Sequence, residues 1–312
     1  GPNGEIVSQY AATTLPNLLA YRLHQLEANA PPNSNKEPSD SNVAEIITNL
    51  ITQTFIDIDA LSPSAAAYTG GCTASIVLRY GATLFIANAG DSRSFVATTT
   101  VGTSSSTQQQ SQQNRSAMIK NTSCTIHYIT REDKPHLQDE RTRIEALGGR
   151  VSIPPTGGTS RVHYGNYGLA MSRSLGDWNA GVFGVIPDPI VHVIHAQDLR
   201  DSVLQQQTNN EEQQCTSEEE PACKNSDADT EIVLFVVSGT DGLFDYVEPQ
   251  LIADTIASTF IKSSSTINNN DDDDGSLALH LIDACGDLVL TSANGWNVES
   301  GGRYRDDIAI AV

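Results

Sequence analysis

The sequence predicts an α+β fold, an antiparallel β-sheet or sandwich with helices outside. Three observations predict it. Apolar residues recur at helical spacing through the first sixty positions. A run of short β segments then follows, separated by Gly- and Asp-bearing turns with no helix between them. Along the chain strands and helices are partly segregated, whereas a parallel βαβ sheet requires strict alternation. Three polar low-complexity stretches, at about 99–123, 203–230 and 262–276, interrupt what reads as one domain over 1–312.

The elements follow in order. Glu5 to about Ala28 reads as a helix on the spacing of Ile6, Ala11, Leu15, Leu18, Leu19, Leu23 and Leu26, with Pro16 kinking or dividing it. Ala30 to Asp40 is a Pro/Asn/Ser linker. A second helix is capped by Asn42, with Glu45 as the reciprocal partner, and buries Val43, Ile46, Ile47, Leu50, Ile51 and Phe55. Strands are predicted at Thr73–Arg79, Thr83–Asn88 and Ser92–Thr98 around Tyr-Gly-Ala and Ala-Gly-Asp turns, and another at Thr125–Thr130. Thr99 to Ser123 has the Ser/Thr/Gln-rich composition of a disordered segment. A helix from about Leu137 to Leu147 ends at Gly148-Gly149, and 150–168 reads as an irregular excursion. Strands follow around Ile190–His195 and Ile232–Val237, the latter an unbroken apolar run read as buried on both faces. Helices at Pro249–Phe260 and Ala278–Leu290 and a strand at Ile308–Val312 complete the chain.

Composition narrows the function. The 312 residues carry a formal charge of −20 and 38% hydrophobic residues. So acidic a chain has no basic face for phosphate neutralisation, which excludes nucleic acid as the expected partner. Hard carboxylate oxygens suit divalent cations instead. About half of the charge lies in two segments, Gln205–Thr230 and Asp271–Asp274, expected to be solvated loops. Five cysteines without CxxC spacing suggest neither zinc nor a disulfide framework and point to a reducing intracellular compartment, cytoplasm or nucleus. There is no apolar run long enough to span a membrane. Of the histidines, His127, His136, His163, His192 and His195 stand in no ligand spacing. Nothing points to oligomerisation, and a monomer is expected.

Three aspartate-bearing turns carry the chemistry: Asn88-Ala-Gly-Asp91-Ser-Arg93, Ser238-Gly-Thr-Asp241-Gly242-Leu-Phe-Asp245 and Arg305-Asp306-Asp307. Singly, each is an ordinary turn sequence. Together they place carboxylates at the ends of strands, where they can converge on one rim. A site built of oxygens without His or Cys is what Mg²⁺ or Mn²⁺ requires.

With these turns in view, the chain resembles the metal-dependent Ser/Thr protein phosphatases of the type-2C, or PPM, class. The matching segments occur in family order: Gly71-Cys-Thr-Ala74; Gly90-Asp-Ser-Arg93; Arg131-Glu-Asp-Lys-Pro135 with Glu140 and Arg143-Ile144; Leu169-Ala-Met-Ser-Arg-Ser-Leu-Gly-Asp177; Ile186-Pro-Asp-Pro189; Asp241-Gly-Leu-Phe-Asp245; and Arg305-Asp-Asp-Ile308. The resemblance implies a four-layer α-β-β-α sandwich with a binuclear metal site at one edge. It implies hydrolysis of phosphoserine and phosphothreonine in phosphoprotein substrates by a metal-activated water, with two Mg²⁺ or Mn²⁺ ions and room for a third, and no covalent phosphoenzyme. By the same resemblance Asp241 and Asp306 match ligands of the catalytic pair. Asp91 and Asp245, with Asp241, match the ligands of the weaker third ion. Arg161 matches, loosely, an arginine of the flap that approaches the phosphoprotein. Arg93 and Arg173 are read as structural, Arg173 with a buried carboxylate partner such as Asp177. The sequence departs from the family where Asp307 replaces Asn and Glu132 and Asp133 replace Asp-His. The alternative reading is a non-catalytic pseudophosphatase, a binding or regulatory module on the same sandwich; retention of Asp241 and Asp306 favours the enzyme.

The opening Gly1-Pro2-Asn3-Gly4 resembles the Gly-His-x-Gly that follows a strand-end Asp in this family. Gly1 then matches the glycine whose carbonyl binds a metal, and Pro2 stands at the His position, either natively or as the scar of a cleaved tag. On that register the bridging Asp and a phosphate-binding Arg are expected upstream of Gly1. No catalytic residue of that group is then visible, and the 312 residues alone are expected to bind metal weakly and turn over little.

Overall fold

The computed structural model describes residues 3–29, 40–102, 124–155, 158–214, 230–264, 274–304 and 306–312. In α1 (Gly4–Ala28) the residues Val7, Ala11, Leu15 and Leu19 recur every four positions and all are buried. Pro16 does not divide this helix. It lies on the exposed face, where Asn17 Nδ2 donates to the Thr13 carbonyl at 2.7 Å, and the buried stripe runs past it unbroken. In α2 (Asp40–Leu61) the buried face is Ile47, Ile51, Phe55 and Ile58, while Ile46 is exposed. The helix already runs at Asp40, so Asn42 sits inside its first turn and is not its cap.

The chain divides into two compact units, Gly1–Arg93 with Thr130–Val193, and Ser94–Ile129 with Ile194–Val312. In the first unit, β2 (Ala74–Tyr80) and β3 (Thr83–Ala89) pair antiparallel from Ala74↔Ala89 to Tyr80↔Thr83, turning at Gly81, and β10 (Ile190–His195, in this unit through Val193) flanks β3. Both helices pack on this sheet, with Phe85, Ala87 and Ala89 meeting Phe55 and Leu15 in one core. Each such buried Phe or Ile side chain contributes about 1.5–3 kcal/mol. Short elements complete the unit: α3 (Ser64–Ala67), β1 (Gly71–Cys72) paired with β9 (Leu175–Gly176), α4 (Gln138–Ala146) and α5 (Trp178–Gly181). The stretch expected to be an irregular excursion contains β6 (Arg150–Ser152), β7 (Arg161–Tyr164) and β8 (Tyr167–Leu169), a three-stranded antiparallel sheet closed over Ile144, Val162, Ala180 and Val185. Its strands are too short and too rich in Gly and Tyr to show a period of two in sequence.

The second unit is built on β4 (Arg93–Gly102, from Ser94 onward), β5 (Cys124–Ile129), β11 (Thr230–Gly239) and β12 (Ile310–Ala311), ordered β12-β11-β4-β5. Helices α8 (Pro249–Ser264) and α9 (Asp274–Ser300) cover one face through Ile252, Ile256, Ala284 and Leu288 against Phe95, Phe235 and Val237. The β11 run is therefore not buried on both faces here. Phe235 and Val237 point into this core and Leu234 is 38% exposed. The polar stretches are shorter than composition suggests. Strand β4 continues through Gly102, α6 (Ala196–Gln214) is helical past 203, and α8 and α9 extend to 264 and from 274; the remainder of each stretch lies outside the described residues. No described helix is long and apolar enough to cross a membrane.

Candidate metal and phosphate site

In the first unit, Asp91 follows Gly90 in the turn between β3 and β4. Gly90 has φ +120°, and a Cβ there would fall 2.4 Å from Thr73 Cγ2, so only glycine fits. The turn is held to the 131–135 loop by reciprocal bonds. The Gly90 N–H donates to Asp133 Oδ2 at 3.1 Å, and the Asp133 N–H donates to the Gly90 carbonyl at 2.9 Å. Asn88 Nδ2 also donates to the Gly90 carbonyl, at 3.0 Å. These bonds bury Asp91 almost completely and set it against Lys134, whose Nζ donates to its Oδ2 at 2.6 Å. Thus the first sequence-predicted carboxylate is preorganised, with an ammonium beside it.

Beneath that loop lies a buried ion network. Glu140 and Asp133 are both fully buried. Glu140 accepts from Arg131 Nη2, Arg143 Nη2 and Arg173 Nη2, each at 2.7 Å, and Asp133 accepts from Arg131 Nε at 3.0 Å. Arg173 Nη1 further donates to the Asp188 carbonyl at 2.7 Å. The structural reading of Arg173 therefore stands with a different partner. Glu140 takes the place expected of Asp177, which instead accepts from Ser174 Oγ at 2.9 Å. Burial acts to raise the Glu140 carboxyl, but hydrogen bonds from Arg143, Arg173 and Ser172 outweigh it and hold it at about 2. Arg161 opens β7 on an exposed position, its Nη1 donating across the hairpin to the Gly168 carbonyl at 2.9 Å. The residues from Arg161 to Leu169 form the β7–β8 hairpin.

In the second unit, β11 leads through Thr240 into the one-turn helix α7 (Asp241–Phe244). Asp241 Oδ1 accepts the N–H of Gly242 at 2.9 Å, and the Asp245 N–H donates to the Asp241 carbonyl at 2.9 Å. The 306–309 segment runs alongside. Thr240 Oγ1 donates to the Asp307 carbonyl at 2.7 Å and accepts the Ala309 N–H at 3.0 Å. A Cβ on Gly242 would lie 2.3 Å from that Asp307 oxygen and 3.4 Å from Asp306 Cβ, so glycine lets the Asp306 segment close on the Asp241 turn. Asp306 Oδ1 accepts the Asp307 N–H at 2.9 Å, and its Oδ2 accepts the Tyr304 hydroxyl at 3.0 Å. The Tyr304 hydroxyl is pushed up by burial, by its bond to Asp306 and by the charges of Asp306, Asp241 and Asp307. The Asp306 segment and the Asp241 turn are therefore direct neighbours. From α9, Ser292 Oγ and Trp296 Nε1 donate to the Gly242 carbonyl at 2.5 and 2.8 Å, and the Trp296 ring meets Tyr246 and Tyr304 edge-on at 4.8 and 5.6 Å.

Asp241, Asp306 and the exposed Asp245 thus belong to one unit and Asp91 to the other, and Gly1 and Pro2 lie outside the described residues. Among the described residues no three His, Cys, Asp or Glu side chains form a group able to hold an ion. The pair Asp241 and Asp306 offers carboxylate oxygen alone, a donor chemistry that fits Mg²⁺ or Mn²⁺ and not zinc or copper. Three histidines named in sequence are bound to hydroxyls instead: His127 to Thr98, His136 to Ser160 and His163 to Ser152. The sequence reading quoted Lys134 only as part of a motif, without a role beside Asp91, and did not single out Ser292, Trp296 or Tyr304. Ser292 and Trp296, four residues apart on one helix face, were the available signal, but aromatic spacing alone does not separate a site wall from a core.

The profile described as "Protein phosphatase 2C" matches residues 2–275. "Probable protein phosphatase 2C 41" of Arabidopsis thaliana is 29% identical over 198 residues, 61% of this chain and 50% of its own length. "Protein phosphatase 2C 1" of Paramecium tetraurelia is 36% identical over 107 residues, 34% of this chain and 25% of its own. The chain spans half or less of the length of these relatives. The crystal structure of serine-threonine phosphatase 2C from Toxoplasma gondii superposes with a TM-score of 0.54 at 14% identity, covering 96% of this chain and 79% of that one, a likeness of fold. A mixed helical and antiparallel-sheet fold, ordered motifs and a profile match over most of its length lead to one conclusion: the chain belongs to the protein phosphatase 2C family.

Proposed function

We propose that this protein is a metal-dependent protein serine/threonine phosphatase that hydrolyses phosphoserine and phosphothreonine in phosphoprotein substrates. The observation that carries the reading is the approach of Asp241 and Asp306 at the end of β11, in the family's motif positions, with glycine at 242 allowing the contact. These two residues would hold Mg²⁺ or Mn²⁺. When bound, the ions supply an activated water and neutralise charge on the phosphoryl oxygens. The protein's own part is positional. The Thr240 hydroxyl ties the two aspartate segments together, Lys134 compensates the buried charge of Asp91, and Arg161 stands exposed at the start of β7.

The test is release of phosphate from a phosphothreonine peptide by the full-length protein with Mn²⁺. Wild type is expected to turn over and Asp241→Asn to lose activity while keeping its fold. Activity of Asp241→Asn equal to wild type would refute the metal assignment. A folded wild type that binds Mn²⁺ without turnover would place the protein among non-catalytic relatives.

A further inference from the structure

The second unit contains an arrangement that neither the family motifs nor the profile match accounts for: a file of aromatic residues leading from α9 to Asp306. Trp296 is its centre. Its Nε1 donates to the Gly242 carbonyl at 2.8 Å, the peptide next to Asp241, and its ring meets Tyr304 at 5.6 Å and 73°. Tyr304 donates its hydroxyl to Asp306 Oδ2 at 3.0 Å. The other oxygen, Oδ1, is held by the Asp307 N–H at 2.9 Å. Both oxygens of Asp306 therefore have one fixed donor each, which sets the plane of the carboxylate and leaves a lone pair on each oxygen for another partner. The Gly242 carbonyl is likewise fixed twice, by Ser292 Oγ and Trp296 Nε1. One face of α9 thus governs the Asp241 turn directly and Asp306 through a single tyrosine.

We infer that Tyr304 is a positioning residue for the metal site, its hydroxyl orienting Asp306 toward the cation and its ring braced by Trp296. The inference rests on the metal-site reading above and deepens it. A carboxylate bound by an outer donor gives up less rotational freedom when it takes up a cation, and removing such donors typically weakens metal affinity by 10- to 100-fold. Replacing Tyr304 by Phe removes one oxygen and keeps the ring against Trp296, so packing is preserved.

The experiment is calorimetric titration of the full-length protein with Mn²⁺ alone, comparing wild type, Tyr304→Phe, Asp306→Asn and Asp241→Asn, each also followed by thermal denaturation without metal. Tyr304→Phe is expected to bind Mn²⁺ about tenfold more weakly with an unchanged melting temperature in the absence of metal. Wild-type Mn²⁺ affinity in Tyr304→Phe, alongside loss of binding in Asp306→Asn, would overturn this inference and leave the proposed function standing. A fall in affinity matched by an equal loss of metal-free stability would also overturn it, because the tyrosine would then act only through the fold. Unchanged binding in both aspartate variants would overturn the metal-site reading itself, and the role of Tyr304 with it.

Discussion

Glu140→Gln tests the buried ion network that holds the Asp91 turn. In the folded protein Glu140 is fully buried, yet hydrogen bonds from Arg143, Arg173 and Ser172 keep its carboxyl at about 2, against an ordinary value of 4.5. At about 1.4 kcal/mol per pH unit that displacement corresponds to roughly 3 kcal/mol of stability. Because the folded value is the lower one, the contribution is complete above the unfolded value of 4.5 and is lost as pH falls toward about 2. Glutamine has the same shape but no charge, and leaves Arg131, Arg143 and Arg173 without their shared anion. Breaking a buried pair in this way costs about 3–5 kcal/mol. The assay is urea denaturation of both proteins at several pH values, followed by tryptophan emission and circular dichroism. Glu140→Gln is expected to be less stable by at least about 3 kcal/mol at pH 7, and the difference should shrink by about 2 kcal/mol on going to pH 3. A deficit below about 1 kcal/mol, or one independent of pH, would refute the account of this network as an anchored anion.

Two further outcomes follow from local geometry. Gly242→Ala places a Cβ 2.3 Å from the Asp307 carbonyl oxygen, so it should push the Asp306 segment away and weaken Mn²⁺ binding; wild-type affinity by calorimetry would show that the contact of the two segments is not needed. Partial burial and the nearby charges of Asp177 and Asp59 push the half-buried Cys72 thiol up to about 12, so native protein treated with a maleimide near neutral pH should label Cys72 much more slowly than protein in urea, by mass spectrometry, and equal labelling rates would contradict that shift.

Much of the fold was legible along the chain. The four-residue recurrence of Val7, Ala11, Leu15 and Leu19 and the turn at Gly81 are local signals, set by helix period and by backbone sterics. The ordered motifs marked the family and nominated Asp91, Asp241, Asp245 and Asp306. Other features were not legible because they depend on residues far apart in sequence. The β6–β8 sheet exists because three short strands close over Ile144 and Val162, not because any strand announces itself. The unbroken stripe of α1 overrode the local tendency of Pro16 to break a helix.

The sequence by itself determined which residue types stand at the ends of strands: carboxylates after β3, after β11 and before β12, with glycines at 90 and 242 where a side chain would collide. Only the tertiary structure decided how those carboxylates are held. Glu140, not Asp177, answers Arg173 across 33 positions; Lys134 reaches Asp91 across 43; and Trp296 bonds the Gly242 carbonyl across 54. A buried charge is tolerated only beside a partner, and a chain written in one dimension does not say which distant partner the folded backbone brings within 3 Å.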